Sequence, residues 1–140
     1  MTSKMATGAA LVRLAGPYLA FRALCHLVSV ERLVRLAWRP AAVTPRPVSP
    51  SVLAARTRRL AQLLGATADC LPRSLVVYRE LSRQGVDPEL VIGFGRTGES
   101  LAGHAWVTVG GQAVEASPDS MPAMIPACVF GAHGRLVSAM

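Results

Sequence analysis

Cys70 and His104 are the residues of this chain whose types and settings best suit chemistry. Asp69-Cys70-Leu71-Pro72 reads as the opening of a helix. A cysteine in a first helical turn has its thiolate favoured by the positive end of the helix dipole and by backbone N–H groups with no partner in the helix. The same N–H groups can hold the oxyanion of a tetrahedral intermediate. His104 interrupts Leu101-Ala102-Gly103-His104-Ala105-Trp106-Val107-Thr108-Val109, a strand-like run of small, apolar and aromatic residues. An imidazole within reach of a thiol takes its proton and later returns it to the leaving group. Taken singly, each residue has a plainer reading, since a free cysteine is often a small buried residue and a histidine in a strand often only packs. The two together leave the nucleophilic reading open beside the buried one.

A third member of the site follows from strand register. Gly110-Gly111 reads as a two-residue hairpin turn, because both positions must accept positive φ. Val109 then faces Gln112, and Trp106 faces Glu115. Cross-strand partners share a face, so Glu115 lies on the side of Trp106 and His104, diagonal to the histidine and about 7–8 Å from it between backbones. Glu115 is the first candidate to orient the imidazole, and Asp119 is the alternative. Either acid also reads as a solvated surface charge. Trp106 is a candidate to touch a substrate and is placed to shield one side of the His104 ring, although a core aromatic would look the same. Arg73 and Ser74, just inside the helix, are candidates to touch a substrate or only to solvate and pack. Cys25-His26 point in different directions on a helix and form no dyad. Cys128 and His133 are assigned no chemistry. The three cysteines and three histidines have no C-x-x-C pair or zinc-ligand spacing, so neither a metal nor another cofactor is expected.

The elements that must position these residues are legible as pattern. Leu11, Leu14, Tyr18, Phe21, Cys25 and Val28 recur at helical spacing, with Pro17 expected to start or kink that helix. A short helix fits Val30 to Trp38, capped by Ser29, with Leu33, Leu36 and Ala37 on its inner side. Pro40, Pro45, Pro47 and Pro50 mark an extended connection. It divides a basic helical segment, residues 1–48, from a catalytic part, residues 49–140, the two together forming one unit. Ser49-Pro50 opens a third helix that ends at Gly65. A fourth runs from about Cys70 to Gln84, with Asp69 as its cap, Leu71, Leu75, Tyr78 and Leu81 as its apolar face, and Gly85 as its stop. Strand-like runs follow over 89–94, 101–109 and 112–115, with edge strands expected over 125–130 and 135–138. Helices first and antiparallel strands afterwards give an α+β domain.

Composition narrows the classes. With 140 residues, 51% hydrophobic, and a mean hydropathy of +0.38, the chain can bury a core and is not disordered as a whole. The net charge of +7 is uneven: residues 1–60 carry 10 basic side chains and one acid, Glu31, whereas residues 61–140 carry 5 basic and 7 acidic side chains. The basic segment suits an acidic peptide, a protein partner or a membrane surface. Nucleic acid is disfavoured, because only Trp38 sits among the arginines and no binding motif accompanies them. The apolar stretch from Ala9 to Val30 is broken by Arg13, Pro17, Arg22 and His26, so it reads neither as a signal peptide nor as a membrane span. A reducing, cytoplasmic setting is expected, with membrane association not favoured.

Cys70-Leu71-Pro72-Arg73-Ser74-Leu75, the strand Leu90-Val91-Ile92-Gly93-Phe94 and then His104-Ala105-Trp106-Val107 together resemble the transglutaminase-like, papain-like leader peptidases of lasso-peptide biosynthesis, over about residues 50–119. The resemblance implies a transglutaminase-like cysteine-protease core with Cys70 as nucleophile, His104 as base and an Asp as third member. Ala116 stands about where that Asp is usual, with Glu115 one before it, and the acid stays open between Glu115 and Asp119. The implied activity is removal of the leader from a ribosomally made precursor before a separate ATP-dependent cyclase closes the ring. About 50 mostly helical residues ahead of the catalytic part are too few and too helical for the β-rich leader-recognition module, so a separate leader-binding protein is the implied partner. Two other readings compete. The same site can serve a transglutaminase-like acyl transferase, in which an amine replaces water, or the chain can be a non-enzymatic basic helical protein that docks on a membrane or partner.

Overall fold

Two serines set where the second and third helices begin. The computed structural model describes residues 2–43, 47–65, 70–97, 99–115 and 124–139, without the side chains of 2–7 and 97. Within them α1 is Thr2–Leu24, α2 Val30–Ala37, α3 Pro50–Leu63 and α4 Cys70–Arg83. Ser29 caps α2 by accepting from the Arg32 N–H, and Ser49 caps α3 by accepting from the Val52 N–H, with Pro50 in the first turn where no N–H is needed. Asp69, the expected cap of α4, lies outside the described residues.

Three expectations for the helices change. First, α1 starts at Thr2 rather than near Leu11, and Pro17 lies inside it. Its apolar stripe is as read, with Leu14, Tyr18 and Phe21 buried and Leu11, Cys25 and Val28 packed at the margin of the core. Second, α2 buries Leu33, Val34 and Ala37, while Leu36 is exposed and Trp38 is the C-cap. Third, α4 is buried on more than the expected face: Val76 and Val77 are buried beside Leu75, Tyr78 and Leu81. It packs against α1, α2 and α3 and against β1 and β2, so the apolar face is wider than a single stripe, and Arg73, Arg79, Glu80 and Arg83 keep the remaining part-exposed side. Cys25 and His26 fall in the turn after α1 rather than on it, and the Cys25 thiol donates to the Arg22 carbonyl at 3.0 Å.

The strands are β1 Pro88–Thr97, β2 Ser100–Val109, β3 Gln112–Ala113, β4 Ile125–Phe130 and β5 Leu136–Ala139, with a short 3-10 turn at Ala132–Gly134 between the last two. They form one antiparallel sheet in the order β3-β2-β1-β4-β5. β5 is an edge strand as expected, but β4 lies between β1 and β5 and is not. The β2–β3 turn is made by Gly110 and Gly111, both at positive φ, and Val109 faces Gln112 as read. β3 stops at Ala113 instead of Glu115 because the chain bends there, although the Val114 N–H still donates to the Val107 carbonyl at 2.9 Å.

One core runs through the whole arrangement. Leu14, Tyr18 and Phe21 of α1 and Leu33 and Val34 of α2 join Leu53 and Leu60 of α3, Leu75, Val76, Val77, Tyr78 and Leu81 of α4, and Leu90, Val107 and Phe130 of the sheet. The helices ahead of residue 49 therefore pack on the helix that begins with Cys70. At about 1.5–3 kcal/mol for each large apolar side chain buried, these contacts far outweigh any surface ion pair in fixing that helix. The fold is α+β, helices first and a small antiparallel sheet after them.

Candidate active site

Cys70 is the first residue of α4, half-buried, and one wall of a pocket. Arg73, Ser74 and Val77 of the same helix line the pocket, along with Ala54 and Thr57 of α3. His104, Ala105 and Val107 of β2 also line it, with Val114 and Glu115 beyond β3. The two residues singled out by chemistry therefore meet in one pocket, and Glu115, found by strand register, is on its wall. Asp119 lies outside the described residues.

The helix and strand are joined next to the reactive pair. The Ser74 hydroxyl, one turn after Cys70, donates to the carbonyl of Ala105, the residue after His104, at 3.0 Å. Ser74 is buried, and this bond occupies its hydroxyl. The burial pattern of β2 alternates: Ala105 and Val107 pack toward the helices, while His104 and Trp106 share the opposite side of the strand. Because the pocket takes in both His104 and Ala105, it sits at the edge of β2.

Trp106 stacks on the imidazole, with ring centroids 6.1 Å apart and planes at 22°. Its six-membered ring passes over Gly93 of β1, the partner of His104 across the ladder. A Cβ on Gly93 would come within 2.7 Å of that ring and 2.5 Å of the Ile125 carbonyl oxygen, so the position has room only for glycine. Trp106 is therefore beside the histidine ring and is not among the described residues that line the pocket.

His104 is held below the ordinary histidine range. Burial is the largest cause, since it disfavours the imidazolium; the Arg73 guanidinium adds like-charge repulsion; the Glu115 carboxylate pulls the other way. A neutral imidazole is the form that accepts a thiol proton. The carboxylate of Glu115 also forms an ion pair with Arg58 of α3, both side chains being partly exposed. Nothing in the sequence marks Arg58, which is one of three arginines, with Arg56 and Arg59, on the same helix. Only the contact of α3 with the end of the β2–β3 hairpin singles it out.

All three cysteines are free thiols. Among the described residues no group of His, Cys, Asp and Glu could hold a metal ion. No helix of the described residues is long and apolar enough to cross a membrane.

A nucleophile at a helix start, a base on a neighbouring strand and an acid on the pocket wall can attack an acyl carbon, hold a thioester and pass the acyl group on. Comparison with curated proteins and with solved structures finds no match. The family model described as the transglutaminase-like superfamily matches residues 17–126, from inside α1 through β2 and past Glu115. Members of that superfamily are typically cysteine-dependent enzymes of protease or acyltransferase type. The match spans most of the chain, which therefore belongs to the transglutaminase-like superfamily.

Proposed function

We propose that the protein is a cysteine peptidase that removes the leader from a ribosomally made lasso-peptide precursor. The observation that carries this reading is that Cys70 and His104 line one pocket, within the Cys-Leu-x-x-Ser and His-Ala-Trp-Val elements that resemble the leader peptidases. His104 takes the proton of the Cys70 thiol, and the sulfur attacks the carbonyl carbon of the scissile peptide bond. The backbone N–H groups of the first turn of α4 stabilise the oxyanion. The imidazolium then gives its proton to the departing amine, leaving a thioester on Cys70. Water, deprotonated by His104, releases the acid and restores the thiol. Glu115 or Asp119 orients the imidazole.

On this reading a separate leader-binding protein presents the precursor, and an ATP-dependent cyclase takes the product, in the cytoplasm. The basic helices ahead of residue 49 are candidates to contact the partner or the leader. Purified protein incubated with a candidate precursor, with and without the leader-binding partner, gives the test by mass spectrometry. Cleavage is expected at one bond and is abolished in folded Cys70→Ala and His104→Ala proteins. A cross-linked or amine-coupled product in place of a cut one would convert the reading to acyl transfer. Slow iodoacetamide labelling of Cys70 with no reaction on any peptide would favour the non-enzymatic docking reading.

A further inference from the structure

We propose that the outer edge of β2 at Leu101 and Gly103 takes the substrate peptide as an added β-strand that leads into the Cys70 pocket. The inference rests on the peptidase reading and says how that site grips its chain.

β2 pairs with β1 along its whole length, from Ser100 opposite Thr97 to Val109 opposite Pro88. On its other side β3 meets only Thr108 and Val109, and one further bond runs from the Val114 N–H to the Val107 carbonyl. That bond fixes the direction of the backbone groups. Along a strand, N–H and C=O point to alternate sides residue by residue, so Val107, Ala105, Gly103 and Leu101 present theirs outward, away from β1. The Ser74 hydroxyl bonded to the Ala105 carbonyl agrees with this direction. Past Ala105, among the described residues, no strand pairs with Gly103 or Leu101 on the outer side.

Unpaired backbone donors and acceptors on a strand edge are a template for another strand, and folded proteins usually blunt them with charge, proline or a bulge. Here the run is Leu101-Ala102-Gly103, with Leu101 69% exposed and Gly103 carrying no side chain to obstruct an approaching backbone. The occupant follows from what adjoins the edge. His104 and Ala105, the next residues of the same strand, line the pocket that holds Cys70. A peptide paired at Gly103 lies about two residues, or ~7 Å, from Ala105 along the strand. Pairing through the main chain recognises an extended peptide whatever its side chains, apart from proline at a bonded position, and leaves sequence choice to other contacts.

The test uses a precursor peptide that the wild-type protein cuts, with single backbone N–H groups replaced in turn by N-methyl. Losses in kcat/KM are expected at alternate positions on one side of the cut, about tenfold each for a lost hydrogen bond and an added clash, with little change between them. Gly103→Pro removes one outward donor where proline is tolerated, on an edge with its N side away from the ladder. It should raise KM about tenfold and leave iodoacetamide labelling of Cys70 unchanged. Hydrogen exchange in the Cys70→Ala protein reads the edge without catalysis and without the proline: the Leu101 and Gly103 amides should exchange fast alone and slow down with the uncut peptide bound. Uniform N-methyl effects, exchange unaltered by peptide, or slow exchange of both amides in the free protein would each overturn the inference while cleavage by wild type keeps the peptidase reading. No cleavage of any precursor by wild type would instead remove that reading.

Discussion

The Ser74 hydroxyl donates to the Ala105 carbonyl at 3.0 Å, joining the helix that begins with Cys70 to the strand that carries His104. Ser74 lies one turn after the thiol, and Ala105 directly follows the imidazole. This buried hydrogen bond therefore ties the two halves of the reactive pair, in addition to the packing of α4 on β2.

Ser74→Ala should cost about 1 kcal/mol of stability, the usual net worth of such a bond. The same change should lower kcat by about tenfold or more with KM little altered, since displacements well under the reach of a side chain disturb an attack geometry. Urea unfolding and steady-state kinetics on a cut peptide check the two numbers separately. A loss of stability with no loss in kcat would show that the bond packs the helix without aligning the pair.

The charges around His104 predict the acid limb of the pH profile. Burial and Arg73 hold the imidazole below its ordinary range, so it stays neutral to lower pH than a free histidine and the limb in kcat/KM should fall below about 6.5. Arg73→Gln removes a repulsion that disfavours the imidazolium, so the limb should move to higher pH. Glu115→Gln removes the opposing attraction, so the limb should move to lower pH. Arg58→Ala leaves the Glu115 carboxylate without its guanidinium partner and should move the limb up, with a stability change under about 1 kcal/mol because the pair is partly exposed. Opposite shifts for Arg73 and Glu115 are the signature, and identical profiles in all variants would remove His104 as the titrating base.

The readable parts of this site were those governed by local rules. Ser29 and Ser49 announced two helix starts, Gly110-Gly111 gave the hairpin, and counting pleats from that turn put Glu115 on the pocket wall. What could not be read depends on contacts far apart in sequence. Arg58 and Glu115 meet only because α3 packs across α4 toward the end of the hairpin. Val76 and Val77 are buried because α4 packs against both the helices and the sheet, which no single-face pattern encodes. In α2 the inner side is Leu33, Val34 and Ala37 rather than Leu36, and which side of so short a helix turns inward is set by packing, here against α4 and the 3-10 turn of Ala132–Gly134. The start of α1 at Thr2 had no amphipathic signal to mark it.

Tyr78 fixes α4 at the end of the helix away from Cys70. Its hydroxyl donates to the Gly131 carbonyl and accepts from the Gly134 N–H, pinning α4 to the connection between β4 and β5. Burial pushes the phenol up to about 12, with the Gly134 hydrogen bond opposing and Asp87 adding to the rise. A folded value above the unfolded one, near 10, means that this group's stabilisation is complete below about pH 10 and is lost as pH rises toward 12. Tyr78→Phe should therefore cost about 1 kcal/mol at neutral pH, because the Gly134 N–H keeps a bond to the Gly131 carbonyl at 3.2 Å. It should also flatten the fall in stability between pH 10 and 12. Tyr78→Ala should cost about 3–5 kcal/mol through the cavity it opens. Urea midpoints at neutral and alkaline pH read both effects, and an unchanged alkaline slope in the Phe variant would show that other groups drive that transition.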